Sequence, residues 1–217
     1  MIPVESTKSM NVGDIKRRAS NLLGDDAMLV FETADLLDMI NDAQMDICRK
    51  TGFLTGTDNF DGVKGTEKYD LQASCIEVKR VTWQGSRLIR TTWQELDMID
   101  PARNTTQGTP TKFYVDGDQI GLYPVPSTTT TLAVSVQYSR CPIALSSDTQ
   151  TPELPLAFHE DIVTRVVARG HEQVEDFQAS QAKATEYNQS ITLTQQQLMD
   201  GTEETYSYIR DTEGPYT

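Results

Sequence analysis

The chain has 217 residues, of which 37% are hydrophobic and 24% charged, and it carries a formal net charge of −13 at pH 7. A chain of this length builds one ordinary domain or two small ones. No apolar run approaches the roughly 18 residues of a membrane span, and the acidic balance argues against ordinary nucleic-acid binding, which needs clustered Lys and Arg against phosphates.

The charge is unevenly spread. Residues 1–66 hold 7 basic and 11 acidic side chains, and residues 67–140 hold 8 of each. Residues 141–199 hold 3 and 8, and residues 200–217 hold 1 and 5. A neutral middle between acidic flanks suggests a β region set between two helical ones. Met1-Ile2-Pro3-Val4-Glu5-Ser6 lacks the basic and apolar regions of a signal peptide, so assembly in a cytoplasm is expected. Cys48, Cys75 and Cys141 form no closely spaced pair, so reduced thiols are expected in place of a disulfide framework or a zinc site.

Val12 to Leu23 has the spacing of a short helix, with Gly24 where a C-terminal cap belongs. Its Lys16-Arg17-Arg18 cluster reads as a solvated face or as a contact with an acidic neighbour. In the next helix Thr33 is placed to cap, Leu36, Ile40, Ala43 and Ile47 form an apolar stripe, and Gly52 stops the run. Asp35, Asp38, Asp42 and Asp46 then fall together on a face turned away from that stripe. Two readings stay open for this row: a solvated face, or a negative wall that repels phosphates.

From Tyr69 the pattern shortens to a period near two, with a strand over Ile76–Thr82 and a turn at Gly85-Ser86. Thr92 and Glu95 have capping-box spacing for a short helix ended by Pro101. Asp116-Gly117 predicts a tight hairpin between Phe113–Val115 and Gln119–Tyr123, and Leu132–Tyr138 adds another strand. Helical spacing returns from Pro155, with Phe158, Ile162, Val166 and Val167 in one stripe and Gly170-His171 as the expected break. From Asp200 the periodicity is lost, and low hydrophobicity predicts an extended acidic arm. Tyr206, Tyr208, Ile209 and Arg210 are its candidate anchors on a partner. The resulting fold class is α+β: helices from residues 1–66 and 141–199, an inserted antiparallel sheet or sandwich over 67–140, and the arm over 200–217.

Chemistry is sparse. Thr57-Asp58-Asn59-Phe60-Asp61-Gly62 falls short of a calcium loop, since Lys68 stands where a bidentate Glu belongs, and it reads as a turn. His159 and His171 lack zincin spacing, and neither a phosphate-binding glycine loop nor a nucleophile elbow is present. No catalytic, metal-binding or cofactor-binding residue is therefore named, and no enzyme activity is expected. Trp83 and Trp93 support one alternative, a carbohydrate- or ligand-binding β module carried on helices.

One stretch has a distinctive order of signals: Gly108-Thr109-Pro110, then Tyr123-Pro124-Val125-Pro126, Tyr138 with Pro142, and Leu154-Pro155 with Phe158-His159. In this order the chain resembles the head-to-tail adaptor, or tail tubular, proteins of tailed bacteriophages. The resemblance implies a structural virion protein at the neck, in a homo-oligomeric ring of about twelve copies. Its implied partners are the portal protein and a nozzle or tail tube protein, with DNA only as cargo through the centre and no membrane. It also implies that the wall of Asp35, Asp38, Asp42 and Asp46 faces the channel through which the DNA passes.

Overall fold

The computed structural model describes residues 9–25 and 30–211, with side chains as far as residue 198. In chain order it runs α1 (Val12–Leu23), α2 (Thr33–Thr51), β1 (Thr55–Gly62), β2 (Lys68–Asp70) and β3 (Cys75–Trp83). Next come β4 (Ser86–Arg87), β5 (Ile89–Arg90), α3 (Trp93–Ile99), β6 (Gln107–Gly108), β7 (Lys112–Asp116), β8 (Gln119–Tyr123), β9 (Val125–Pro126) and β10 (Thr130–Arg140). A short 3-10 turn at Leu156–Phe158 leads into α4 (His159–Gln173) and α5 (Phe177–Asp211). The chain divides into a helical unit, Met1–Thr51 with Pro142–Thr217, and a sheet unit, Gly52–Cys141.

The helical unit is built on amphipathic stripes. Val12, Ile15 and Ala19 of α1, Leu36, Ile40, Ala43 and Ile47 of α2, and Ile162, Val166 and Val167 of α4 are all buried. Each large aliphatic side chain so covered contributes about 1.5–3 kcal/mol. The start of α1 is held twice over. Asn11 accepts from the Asp14 N–H at 2.8 Å, while the Val12 and Gly13 amides donate to the Gln150 and Asp148 carbonyls, which satisfies donors a helix start leaves unpaired. Gly24 closes the helix in the left-handed region at φ 72°.

Two expectations for the last helices are corrected. Gly170 is no break: α4 runs through it, and a Cβ there would stand 2.6 Å from Leu23 Cδ1, so the missing side chain lets α1 pack close. The chain turns instead at Glu175, φ 62°, after which Asp176 accepts from the Ala179 N–H to open α5. The backbone of residues 200–211 continues α5, where the sequence pointed to an extended arm. Backbone hydrogen bonding continues a helix that has already nucleated, even through polar residues that would not start one. The side chains of Tyr206, Tyr208, Ile209 and Arg210 lie outside the described residues.

In the sheet unit, one sheet has the order β1-β10-β3-β4 and a second β2-β8-β7-β5. A two-stranded pair, β6-β9, completes it. Most pairings are antiparallel, while β5 joins β7 and β6 joins β9 in parallel. The β7–β8 hairpin has its expected place, with Asp116 opposite Gln119 and Gly117 at φ 64° in the turn. Thr92 and Glu95 form the full capping box of α3. The core joins both large sheets: Val78, Val81, Trp83, Val134 and Val136 from one, Phe113, Ile120 and Leu122 from the other.

The segment read as a turn at Thr57–Gly62 is instead strand β1, an edge strand paired with β10. Its residues alternate between exposed and half-buried without a single aliphatic side chain, so no hydrophobic period marked it. The division between units accordingly falls at Thr51 and Gly52, earlier than the boundary after residue 66. Gly62 ends β1 under the Trp83 indole, where a Cβ would lie 2.2 Å from the ring.

Candidate functional site

The acidic row on α2 is the place where sequence suggested function. Asp35, Asp38 and Asp42 are exposed, as the helical spacing required. Asp35 and Asp38 have no ion pair among the described residues, whereas Asp42 accepts from Arg169 of α4 at 3.0 Å. Asp46 departs from the row. It is half-buried and accepts from the Tyr187 hydroxyl of α5 at 2.7 Å and from Lys50 at 2.9 Å, with Arg165 at 3.8 Å. One turn beyond Asp42, the helix face has rotated far enough to meet α4 and α5.

Tyr187 is the centre of that junction. Its side chain is fully buried, and the Lys50 ammonium and Arg165 guanidinium lie over its ring at 4.6 Å and 5.4 Å from the centroid. Burial pushes the Tyr187 hydroxyl well above the usual tyrosine range, and the adjacent Asp46 charge adds to the effect. Burial alone would raise the Asp46 carboxyl too. The Lys50 and Tyr187 hydrogen bonds, with the Lys50 and Arg165 charges, outweigh it and hold the group below its ordinary value. Asp46 is therefore a joint between helices and contributes little to a negative wall.

Beside this joint, a cleft of about 470 Å³ opens between α2, α4 and the Pro142–Ala144 segment, lined in part by Met39, Met45, Arg49 and Arg165. Asn41 and Gln44 sew that segment to α2: Asn41 donates to the Leu145 carbonyl and accepts from its amide, and Gln44 donates to the Ile143 carbonyl. The cleft holds no arrangement of nucleophile and base. Among the described residues, no group of three or more His, Cys, Asp or Glu is gathered to hold a metal ion.

The Lys16-Arg17-Arg18 cluster is spent inside the chain. Lys16 is buried and bonded to Asp148 at 2.8 Å, Arg17 pairs with Asp14, and Arg18 pairs with Glu160. His159 is buried in the neutral form: Nε2–H donates to the Leu154 carbonyl and Nδ1 accepts from the Met10 amide at 3.2 Å. Burial lowers its pKa. In the sheet unit Trp83 is buried in the core and unavailable to a sugar, while Trp93 is half-exposed at the start of α3. Sequence reasoning missed the network of Arg103 with Glu67, Asp97 and Tyr114. Its members lie up to 47 residues apart, beyond the reach of local spacing. Burial and the hydrogen bond to Glu67 push the Tyr114 hydroxyl up to about 12.

The class these units define is a mixed α+β chain with many of its charged side chains paired along helix faces. The family model of the SU10 adaptor protein matches residues 10–210, and the chain belongs to this family of phage head-to-tail adaptors. Membership makes it a structural adaptor of a phage, and implies a place at the virion neck with portal and tail components as neighbours. No individual curated protein matches the chain at a significant level. Among the described residues, no helix is long and apolar enough to cross a membrane.

Proposed function

We propose that the chain assembles as a ring of about twelve copies between the portal and the tail tube or nozzle, with DNA passing through the centre. The observation that carries this reading is the family match over residues 10–210, which takes in both units and not one module alone. The charge partition supports it. The helical unit holds 10 basic and 22 acidic side chains, an excess that repels phosphates and keeps a conduit from binding its cargo.

Within that reading, Asp35, Asp38 and the partly compensated Asp42 form the channel-facing wall, and Asp46 does not. Tyr206, Tyr208, Ile209 and Arg210, at the end of α5, are the proposed docking residues for a neighbouring component. No catalytic step belongs to this function, and assembly takes place in the host cytoplasm. The test is electron microscopy of the purified protein mixed with its portal. Closed rings coaxial with the portal are expected; a monomer that ignores the portal contradicts the proposal.

A further inference from the structure

Helix α5 differs from the other helices of its unit in what it shows to solvent. On α1, α2 and α4 the exposed side chains are dominated by charges: Arg17 and Arg18, Asp35, Asp38 and Asp42, Glu160 and Glu172. Over Phe177–Leu198 the one exposed charged residue is Glu186, and it is paired with Lys183 at 2.8 Å. The inward stripe is Tyr187 and Ile191, both buried. On the opposite side, at helical spacing, stand Thr185, Gln189, Thr192 and Leu193, all exposed, with Leu193 at 58%. These side chains and Asn188 line a shallow, mainly apolar recess of about 560 Å³. Helix α5 also has 35 residues against 15 in α4, so it runs about 30 Å beyond the length of the helix it packs on.

Such a face is out of keeping with its unit. With 22 acidic and 10 basic side chains, two helical units brought together repel one another wherever their charged faces meet. Like charges set against each other across an interface cost several kcal/mol, so contact between copies selects surfaces without charge. The uncharged stripe of α5 is the helix face that meets this condition, over about two and a half turns. We propose that Thr185, Gln189, Thr192 and Leu193 form the surface on which α5 packs against a neighbouring copy of this chain. The proposal rests on the ring reading and names the contact that closes it.

The test introduces charge where the proposal needs none. Gln189→Glu with Thr192→Glu places two carboxylates on exposed helical positions, and Gln189→Lys with Thr192→Lys places two cations at the same sites. Each variant is mixed with portal, and bound copies are counted by native mass spectrometry and electron microscopy. The glutamate variant should keep the wild-type circular dichroism and melting curve, yet assemble roughly tenfold or more weakly at low salt and recover at high salt. The lysine variant sets two cations in the same uncharged contact and should also assemble more weakly. Undiminished assembly of either variant overturns the contact while leaving a wild-type ring intact. A wild-type chain that never multimerises on the portal overturns the ring and this contact with it.

Discussion

The helical unit carries 10 basic and 22 acidic side chains, and the sheet unit carries 9 and 10. Burial sharpens the contrast. Of the polar or charged residues that are buried, Lys16, Ser20, Asp25, Gln44, His159 and Asp161 belong to the helical unit and Ser139 alone to the sheet unit. The sheet unit is held by volume: Trp83 fills the space over Gly62, and Tyr114 fills the space over Gly121, where a Cβ would lie 2.1 Å from the ring. The helical unit adds to its apolar stripes a set of polar joints, at Lys16–Asp148, Tyr187–Asp46 and Met10–His159. The sheet unit has a polar network of its own around Arg103, but both histidines of the chain lie in the helical unit, which is therefore the one that answers to protonation between about pH 5 and 8.

The largest expected effect comes from breaking the sheet side of this contrast. Trp83→Ala should destabilise the sheet unit by about 3–5 kcal/mol, through lost burial and the cavity left above Gly62. Denaturant unfolding followed at pH 8 and at pH 5 should give the same loss at both. A loss below about 1 kcal/mol would mean that Trp83 is not the keystone its burial indicates.

A smaller effect is expected in the helical unit from Tyr187→Phe. The change keeps the ring and removes the hydroxyl that donates to Asp46, which costs about 1.5–3 kcal/mol for a hydrogen bond to a charged group. The Asp46 carboxyl lies below its ordinary value in the folded chain, so its contribution is present above an unfolded pKa of about 3.9 and is lost as pH falls through the folded value. Tyr187→Phe should therefore be less acid-sensitive than wild type below about pH 4, as thermal melts across a pH series would show. An unchanged acid transition would take Asp46 out of the joint.

Much of this division is legible in the sequence, for reasons tied to particular residues. Asn11 and Gly24 bracket α1, Thr92 and Glu95 cap α3, and Gly117 turns the β7–β8 hairpin, each through chemistry that acts within four residues. Strand β1 was illegible because Thr55, Thr57, Asn59 and Asp61 give an edge strand no apolar period, and its identity comes from pairing with β10 far along the chain. Helical spacing accounts for the exposure of Asp35, Asp38 and Asp42, whereas the surroundings of Asp46 are set by Tyr187, 141 residues away. Gly170 shows the same limit: a glycine in a helix reads as a break until the Leu23 side chain that needs its space is seen.

The smallest expected effect is also the one that separates the two units most cleanly. His159 is buried as the neutral ring, with a folded pKa below the unfolded value of about 6.5. The folded chain takes up this proton less readily than the unfolded chain, so stability is complete above that value and falls as pH drops below it. A proton on Nδ1 would also set two donors against each other at the Met10 amide. The Leu154 carbonyl and the Glu160 charge, itself paired with Arg18 at 2.6 Å, act in the opposite direction and are outweighed by burial. The direct measurement is hydrogen exchange resolved by segment at pH 7.5 and pH 5.5, corrected for intrinsic rates. Faster exchange at the lower pH is expected in Met10–Ile15 and the start of α4, with the β3, β7, β8 and β10 amides unchanged. Equal acceleration in both units, or none in the helical one, would contradict the claim that protonation near neutrality acts on the helical unit alone.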